Sequence, residues 1–316
     1  MDPTSKSFAE IAQKLLDQNR LPPERLKSRL EQALDPDYWR SLSPDLHIDV
    51  APRTDMEPAP ASDEAIDHAI ASVRDFGYFK MPPVISSTVL RQMVIAVEKL
   101  AAEDWPAPFT FVYDEFWQLS RTSTARRILE GVLGRSFKQN SNVWTHHVHP
   151  HRGSSGWHPH IDGLQEPAGR LSLWIPLTDA TLDNGCMYVI PRDRMSSELL
   201  TKYLKRDSLD RIDAEQMLQA SYALPASAGS LLGWGFDVMH WGSVCTGEFP
   251  PRISIALEFL ADGASTFPDE LPLLDGAAAP PAFAERVRSI ASGIVKYSKF
   301  EPLVARYKDL ASQIVG

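Results

Sequence analysis

Apolar positions along this chain change their period twice. Near the start, Phe8, Ile11, Leu15 and Leu16 recur at helical spacing, and Pro22-Pro23 interrupts before Leu26, Leu30 and Leu34. The stretch from about 50 to 62, APRTDMEPAPASD, is rich in Pro and Ala and reads as a linker or extended surface arm. Ser62-Asp63 offers a cap to a helix through Ile66, Ile70 and Val73, which Gly77 ends. A further helix is predicted over Ser87–Glu103, with Leu90, Met93, Val97 and Leu100 on one stripe, and a shorter one over 122–133.

From about 140 to 262 the pattern shortens to runs of four to eight residues between Gly, Pro, Asn and Asp. Leu171, Leu173, Ile175 and Leu177 alternate with Ser172, Trp174 and Pro176, the period of a strand. Asp183-Asn184-Gly185 supplies a tight turn, and CMYVIP, GSLLGWGFDVMHW and RISIALEFL are later strand candidates. A helical insertion is expected within 195–223, with Leu209, Ile212, Met217 and Leu218 as its apolar side, and helix returns from about Ala282. The expectation is a mainly β core, sandwich or barrel, with flanking α-helices. Residues 1–62 read as a helical extension with a Pro-rich linker, and 63–316 as one domain.

Composition narrows the function classes. The 316 residues are 43% hydrophobic and 23% charged, which are globular proportions. Lys and Arg total 32 against 41 Asp and Glu, and a net charge of −9 argues against nucleic acid as the main partner. Cys186 and Cys245 cannot make a disulfide framework, so a reduced, cytoplasmic setting is expected. No run of about 18 apolar residues predicts a membrane span, and the first residues lack the apolar core of a secretory signal.

Nine histidines are present, and six of them fall between His146 and His160. The segment GWHPHIDG places His160 and Asp162 two residues apart, so in extended chain both side chains face one way. Together they can bite one metal, and the third ligand is expected from His240, the sole histidine after position 160. Two histidines and one carboxylate form the facial set of non-haem Fe(II) oxygenases, which leaves positions open for co-substrate and dioxygen. Twelve residues later Arg252 opens RISIALEF, sharing a strand face with Ser254, Ala256 and Glu258. A forked, permanently charged guanidinium there suits the far carboxylate of a dicarboxylic acid that also chelates iron, and 2-oxoglutarate is the co-substrate implied.

The order of these pieces resembles the phytanoyl-CoA dioxygenase family of Fe(II)/2-oxoglutarate oxygenases. The matching segments are DFGYFKMPPVIS, WHPHID, LSLWIPLTDATLDNGCMYVIP, GSLLGWGFDVMHWGS and PPRISIALEF, from about residue 65 to 262. The resemblance implies a double-stranded β-helix, related to jelly rolls and cupins. It implies an iron triad of His160, Asp162 and His240, an anchor at Arg252 assisted by Ser254, and His149 near the co-substrate. The sequence departs from the family pattern after Pro191, where Arg192-Asp193-Arg194 stands in place of Gly-Ser-His. Asp162 is kept, which disfavours halogenation.

The activity implied is hydroxylation of an unactivated C–H bond in a small molecule with release of succinate and CO2. Desaturation, ring formation and demethylation use the same ligands. A metal-dependent hydrolase or isomerase on a cupin-like barrel and a non-catalytic binding member are the alternatives. His158, Trp144, Trp174 and Arg192 are the candidate substrate contacts, with core packing the default for both tryptophans. His146, His147, His149 and His151 read as solvent-facing apart from His149. The N-terminal helices and the 195–223 insertion are expected to close the pocket.

Overall fold

The computed structural model describes residues 20–163, 169–205, 210–247, 249–266, 272–298 and 301–316. Among the described residues ten strands occur in chain order: β1 Tyr78–Met81, β2 Lys138–Gln139, β3 Trp144–Val148, β4 Arg170–Pro176 and β5 Met187–Ile190, then β6 Tyr222–Leu224, β7 Leu231–Gly235, β8 Met239–Gly242, β9 Arg252–Leu260 and β10 Leu274–Asp275. The larger antiparallel sheet runs β1-β7-β4-β9-β2-β10, with β3 also on β9. The smaller sheet runs β6-β5-β8. Bridges at His160–His240, Ser155–Val244 and Asn184–Cys245 extend it. Two antiparallel sheets with helices around them are the double-stranded β-helix class that the sequence implies.

β9 organises the larger sheet, because the alternation in RISIALEFL gives it two usable faces. Ile253, Ile255, Leu257 and Phe259 are buried in the main core. On its other edge from β4, four residues (140–143) between β2 and β3 oppose only 257–258 of β9, which is a bulge in the ladder.

The run GSLLGWGFDVMHW is not one strand. It divides into β7 in the larger sheet and β8 in the smaller, through a turn in which Val238 N–H donates to Gly235 O. Arg192 holds that turn by donating to both carboxylate oxygens of Asp237, at 2.6 and 2.9 Å. The division carries His240 away from β7 and onto the sheet that faces β9.

The helices form where the apolar spacing and caps predict them. Helix Asp63–Phe76 starts at Ser62, whose hydroxyl accepts from Ala65 N–H, and ends at Gly77 with φ +86°, a left-handed conformation that favours glycine. Helix Ser87–Ala102 buries Leu90, Met93, Val97 and Leu100. Helix Phe283–Tyr297 buries Val287, Ile290, Ala291 and Ile294 against the same core.

The segment before residue 63 is tied to that core as well. Trp39 is wholly buried, stacked on Phe109 at 5.5 Å, and Met56 pins the Pro-rich arm with its carbonyl accepting from Ser86 N–H. The helix predicted from Phe8, Ile11, Leu15 and Leu16 lies outside the described residues.

The insertion forms helices Ser197–Lys205 and Arg211–Ala220, joined by a Lys202–Asp213 ion pair of 2.8 Å. Its expected apolar side is not buried: Ile212 is 57% and Leu218 72% exposed. The second helix is instead held through its polar start, where Asp210 and Asp213 form a reciprocal capping box. Leu209 lies outside the described residues. Among the described residues no helix is long and apolar enough to cross a membrane.

Candidate metal centre and active-site cleft

Strand parity decides which side chains face the space between the two sheets. Residues directly opposite in an antiparallel ladder point to the same face. β9 sets Arg252, Ser254, Ala256 and Glu258 opposite Val148, His146 and Trp144 of β3, and Trp174 and Ser172 of β4. Most of these line one cleft, together with Gly156, Trp157, His160, Asp162, Trp234, His240, Gly242 and Tyr297.

His160, Asp162 and His240 converge in that cleft, with their ligating atoms all within 4.8 Å of one another. Asp162 Oδ1 lies 3.4 Å from His160 Nε2 and 3.7 Å from His240 Nε2. The WHPHID segment is less regular than an extended strand. Only the His160 backbone forms a ladder bridge, its N–H donating to His240 O at 3.1 Å and its carbonyl accepting from the His240 N–H at 2.9 Å. That pairing brings two histidines 80 positions apart to a ring separation of 4.2 Å.

Each imidazole is held from behind. His160 Nδ1 lies 2.6 Å from His158 O, and His240 Nδ1 lies 3.0 Å from Val238 O. A carbonyl only accepts, so both rings carry hydrogen on Nδ1 and present the Nε2 lone pair to the cleft. Ser172 donates to Asp162 Oδ2 at 2.7 Å, leaving Oδ1 toward the imidazoles.

Burial pushes the Asp162 carboxyl up, but His240, His160 and Ser172 outweigh it and hold it well below the ordinary carboxylate range. Burial brings His240 down to about 4. For His160 burial acts the same way, but Asp162 overcomes it and the net shift is upward. An ionised carboxylate beside two imidazoles with free Nε2 atoms is a donor set that fits Fe(II).

Arg252 occupies a second wall. It is 1% exposed, donates to Ser254 Oγ at 2.8 Å, and its guanidinium carbon sits 5.7 Å from the Trp174 ring centroid. Its Nε has no hydrogen-bond partner, and among the described residues no carboxylate forms an ion pair with it. Burial lowers it only to about 10, so it is cationic at neutral pH. A buried cation without its anion is costly, and a carboxylate ligand supplies what is missing. Space for that ligand is kept by glycines. A Cβ on Gly156 would lie 2.8 Å, and one on Gly242 3.2 Å, from Arg252 Nη2. These residues fit the dicarboxylate that the sequence implies.

The remaining sequence candidates divide. Trp144 and Trp174 are buried and line the cleft. His149 is not in its lining: it is exposed and stacks on His151 at 5.7 Å, because odd positions of this strand point away from Arg252. His146 takes the inward place. His158 is exposed and contributes its carbonyl, not its ring. Arg192 is committed to Asp237 and to the Val73 and Arg74 carbonyls, away from the cleft.

Closure also differs from expectation. Among the described residues, none from the N-terminal helices or the 195–223 insertion lines the cleft, and Tyr297, the last residue of helix Phe283–Tyr297, does. Glu301 comes just after that helix and accepts both the Trp144 and Trp157 indole N–H groups, at 2.9 and 3.1 Å. Sequence reasoning passed over Ser172, Trp157, Glu258, Tyr297 and Glu301. Parity along β4 and β9 was the available signal for Ser172 and Glu258; the C-terminal residues gave none.

A sequence search of curated proteins finds no match. Solved structures do share the fold. SnoN, a non-heme alpha ketoglutarate dependent epimerase from nogalamycin biosynthesis, gives a TM-score of 0.53 at 16% identity, over 70% of this chain and 91% of that one. SnoN in complex with Fe3+, alpha ketoglutarate and nogalamycin RO also gives 0.53 at 16%, over 70% and 94%. The non-heme monooxygenase ThoJ gives 0.52 at 14% identity, over 78% of this chain and 98% of that one. Residues 74–252, more than half of the chain, match the family described as phytanoyl-CoA dioxygenase (PhyH), and the protein belongs to that family.

Proposed function

We propose that the protein is an Fe(II)- and 2-oxoglutarate-dependent dioxygenase that hydroxylates an unactivated C–H bond of a small molecule, with release of succinate and CO2. One observation carries the reading: a two-histidine, one-carboxylate set and a buried arginine with no carboxylate partner among the described residues line the same cleft. His160, Asp162 and His240 would hold the iron. Bound there, it supplies dioxygen activation and oxidising power that no side chain can provide.

The chain's own residues do the rest. Arg252 and Ser254 bind the far carboxylate of 2-oxoglutarate and fix its direction in the cleft. Ser172 and the carbonyls of His158 and Val238 keep the three ligands oriented. Trp144, Trp157, Trp174 and Trp234 wall the cleft with apolar surface and exclude water from the reacting centre.

Protein supplied with Fe(II), 2-oxoglutarate, air and a panel of small molecules should form succinate in a substrate-dependent way. His160→Ala and Asp162→Ala should each abolish it. Full succinate formation in both variants overturns the triad. Its absence across a broad panel with wild-type protein favours a binding member of the fold.

A further inference from the structure

The outer side of β3 carries histidines that the cleft does not use. His147 lies across the ladder from Ile253, whose side chain belongs to the main core and not to the cleft. His149 is two positions on and points the same way, so the two rings meet at a centroid distance of 4.9 Å. A turn then brings His151 alongside, its N–H donating to His149 O at 2.9 Å. The His149 and His151 rings are nearly parallel, at 11°, with centroids 5.7 Å apart.

None of these three rings has a hydrogen-bond or carboxylate partner among the described residues, whereas His146, His160 and His240 each have one. His147 is half-buried, and His149 and His151 are exposed. Burial, and then the neighbouring His149, bring His147 down to about 4, so near neutral pH its ring is uncharged and keeps a lone pair. Protonating the file would set like charges side by side with no carboxylate to offset them. One divalent cation shared among neutral rings uses every free lone pair instead.

The spacing agrees with that use. Two imidazoles on one ion, with metal–nitrogen bonds of about 2.0–2.1 Å, place their centroids roughly 4.5–5.5 Å apart. His147 and His149 fall in that range, and His160 and His240 of the candidate metal centre stand at 4.2 Å. Among the described residues only His160, Asp162 and His240 have three ligand atoms already converged, so His151 must swing inward. Its exposure leaves rotation about the side-chain bonds free of packing. A donor set of imidazole alone suits Zn(II), Cu(II) or Ni(II) and not the oxygen-seeking Mg(II) or Ca(II).

We propose that His147, His149 and His151 form a second metal site, on the far side of β3 from the cleft, which takes a late first-row divalent ion such as Zn(II) or Cu(II). The site does not depend on what the cleft does.

The test is calorimetric titration of the full chain with Zn(II) in a buffer that does not bind metal. Wild-type protein should take up one equivalent more than His147→Ala/His149→Ala. The same equivalent should persist in Asp162→Ala, in which the inner set has lost its carboxylate. His149→Ala/His151→Ala removes exposed rings only and should weaken this ion by at least about tenfold, which decides the matter if the His147 variant fails to fold. Melting temperatures without metal check that each variant is intact. Equal Zn(II) uptake by wild type and a folded His147→Ala/His149→Ala overturns the proposal, and so does undiminished affinity in His149→Ala/His151→Ala.

Discussion

Ser172 donates its hydroxyl hydrogen to Asp162 Oδ2, and Asp162 in turn directs Oδ1 at both His160 and His240. The candidate metal set is thus oriented by a residue on β4, in the larger sheet, while its histidines lie on a loop and on β8. Ser172→Ala should weaken Fe(II) or Co(II) binding by about ten- to a hundredfold, since residues behind metal ligands commonly carry that much. Direct metal titration checks it, and wild-type affinity in the variant would contradict it.

Gly156 is predicted to matter through the space it leaves. Gly156→Ala would set a methyl 2.8 Å from Arg252 Nη2 and 3.1 Å from the Gly242 backbone, so the guanidinium must shift. Affinity for 2-oxoglutarate should fall on the order of tenfold while metal affinity stays close to wild type. Loss of metal binding with unchanged 2-oxoglutarate affinity would be the opposite outcome.

Glu301 supplies a pH signature. Burial pushes its carboxyl up, but His146 and the two indole N–H groups outweigh that and lower it from its ordinary 4.5. A carboxylate depressed on folding adds stability that is complete above about pH 4.5 and is lost as pH falls through the folded-state value. The stability gap between wild type and Glu301→Gln should therefore narrow below about pH 4.5, read as urea midpoints across pH. A gap that stays constant as the pH is taken from neutral to well below that value would refute this role.

Much of this site was legible because strands write their geometry in alternation. Arg252, Ser254 and Glu258 share a face in the sequence as in the fold, and His160 with Asp162 kept their common direction although only His160 forms a bridge. The same parity applied to β3 would have replaced His149 by His146. Helices were equally clear where an apolar stripe met a cap, as at Ser62 and Gly77. The insertion misled because Ile212 and Leu218 have helical spacing without a surface to cover, and spacing does not reveal whether a partner exists. The place of Tyr297 in the cleft, and of Glu301 behind its tryptophans, was invisible for a similar reason. Contacts more than 140 residues apart, such as Glu301 to Trp144 and Trp157, depend on how helix Phe283–Tyr297 packs on the core.

The central claim is that iron and 2-oxoglutarate share one cleft, the first on His160, Asp162 and His240 and the second on Arg252. Anaerobic calorimetric titration with 2-oxoglutarate, with and without Fe(II), tests it most directly in wild type, Asp162→Ala and Arg252→Ala. The account predicts tight binding only in Fe(II)-loaded wild type, loss of the iron dependence in Asp162→Ala, and affinity lower by at least about tenfold in Arg252→Ala. Binding that ignores both Fe(II) and Arg252 would contradict it.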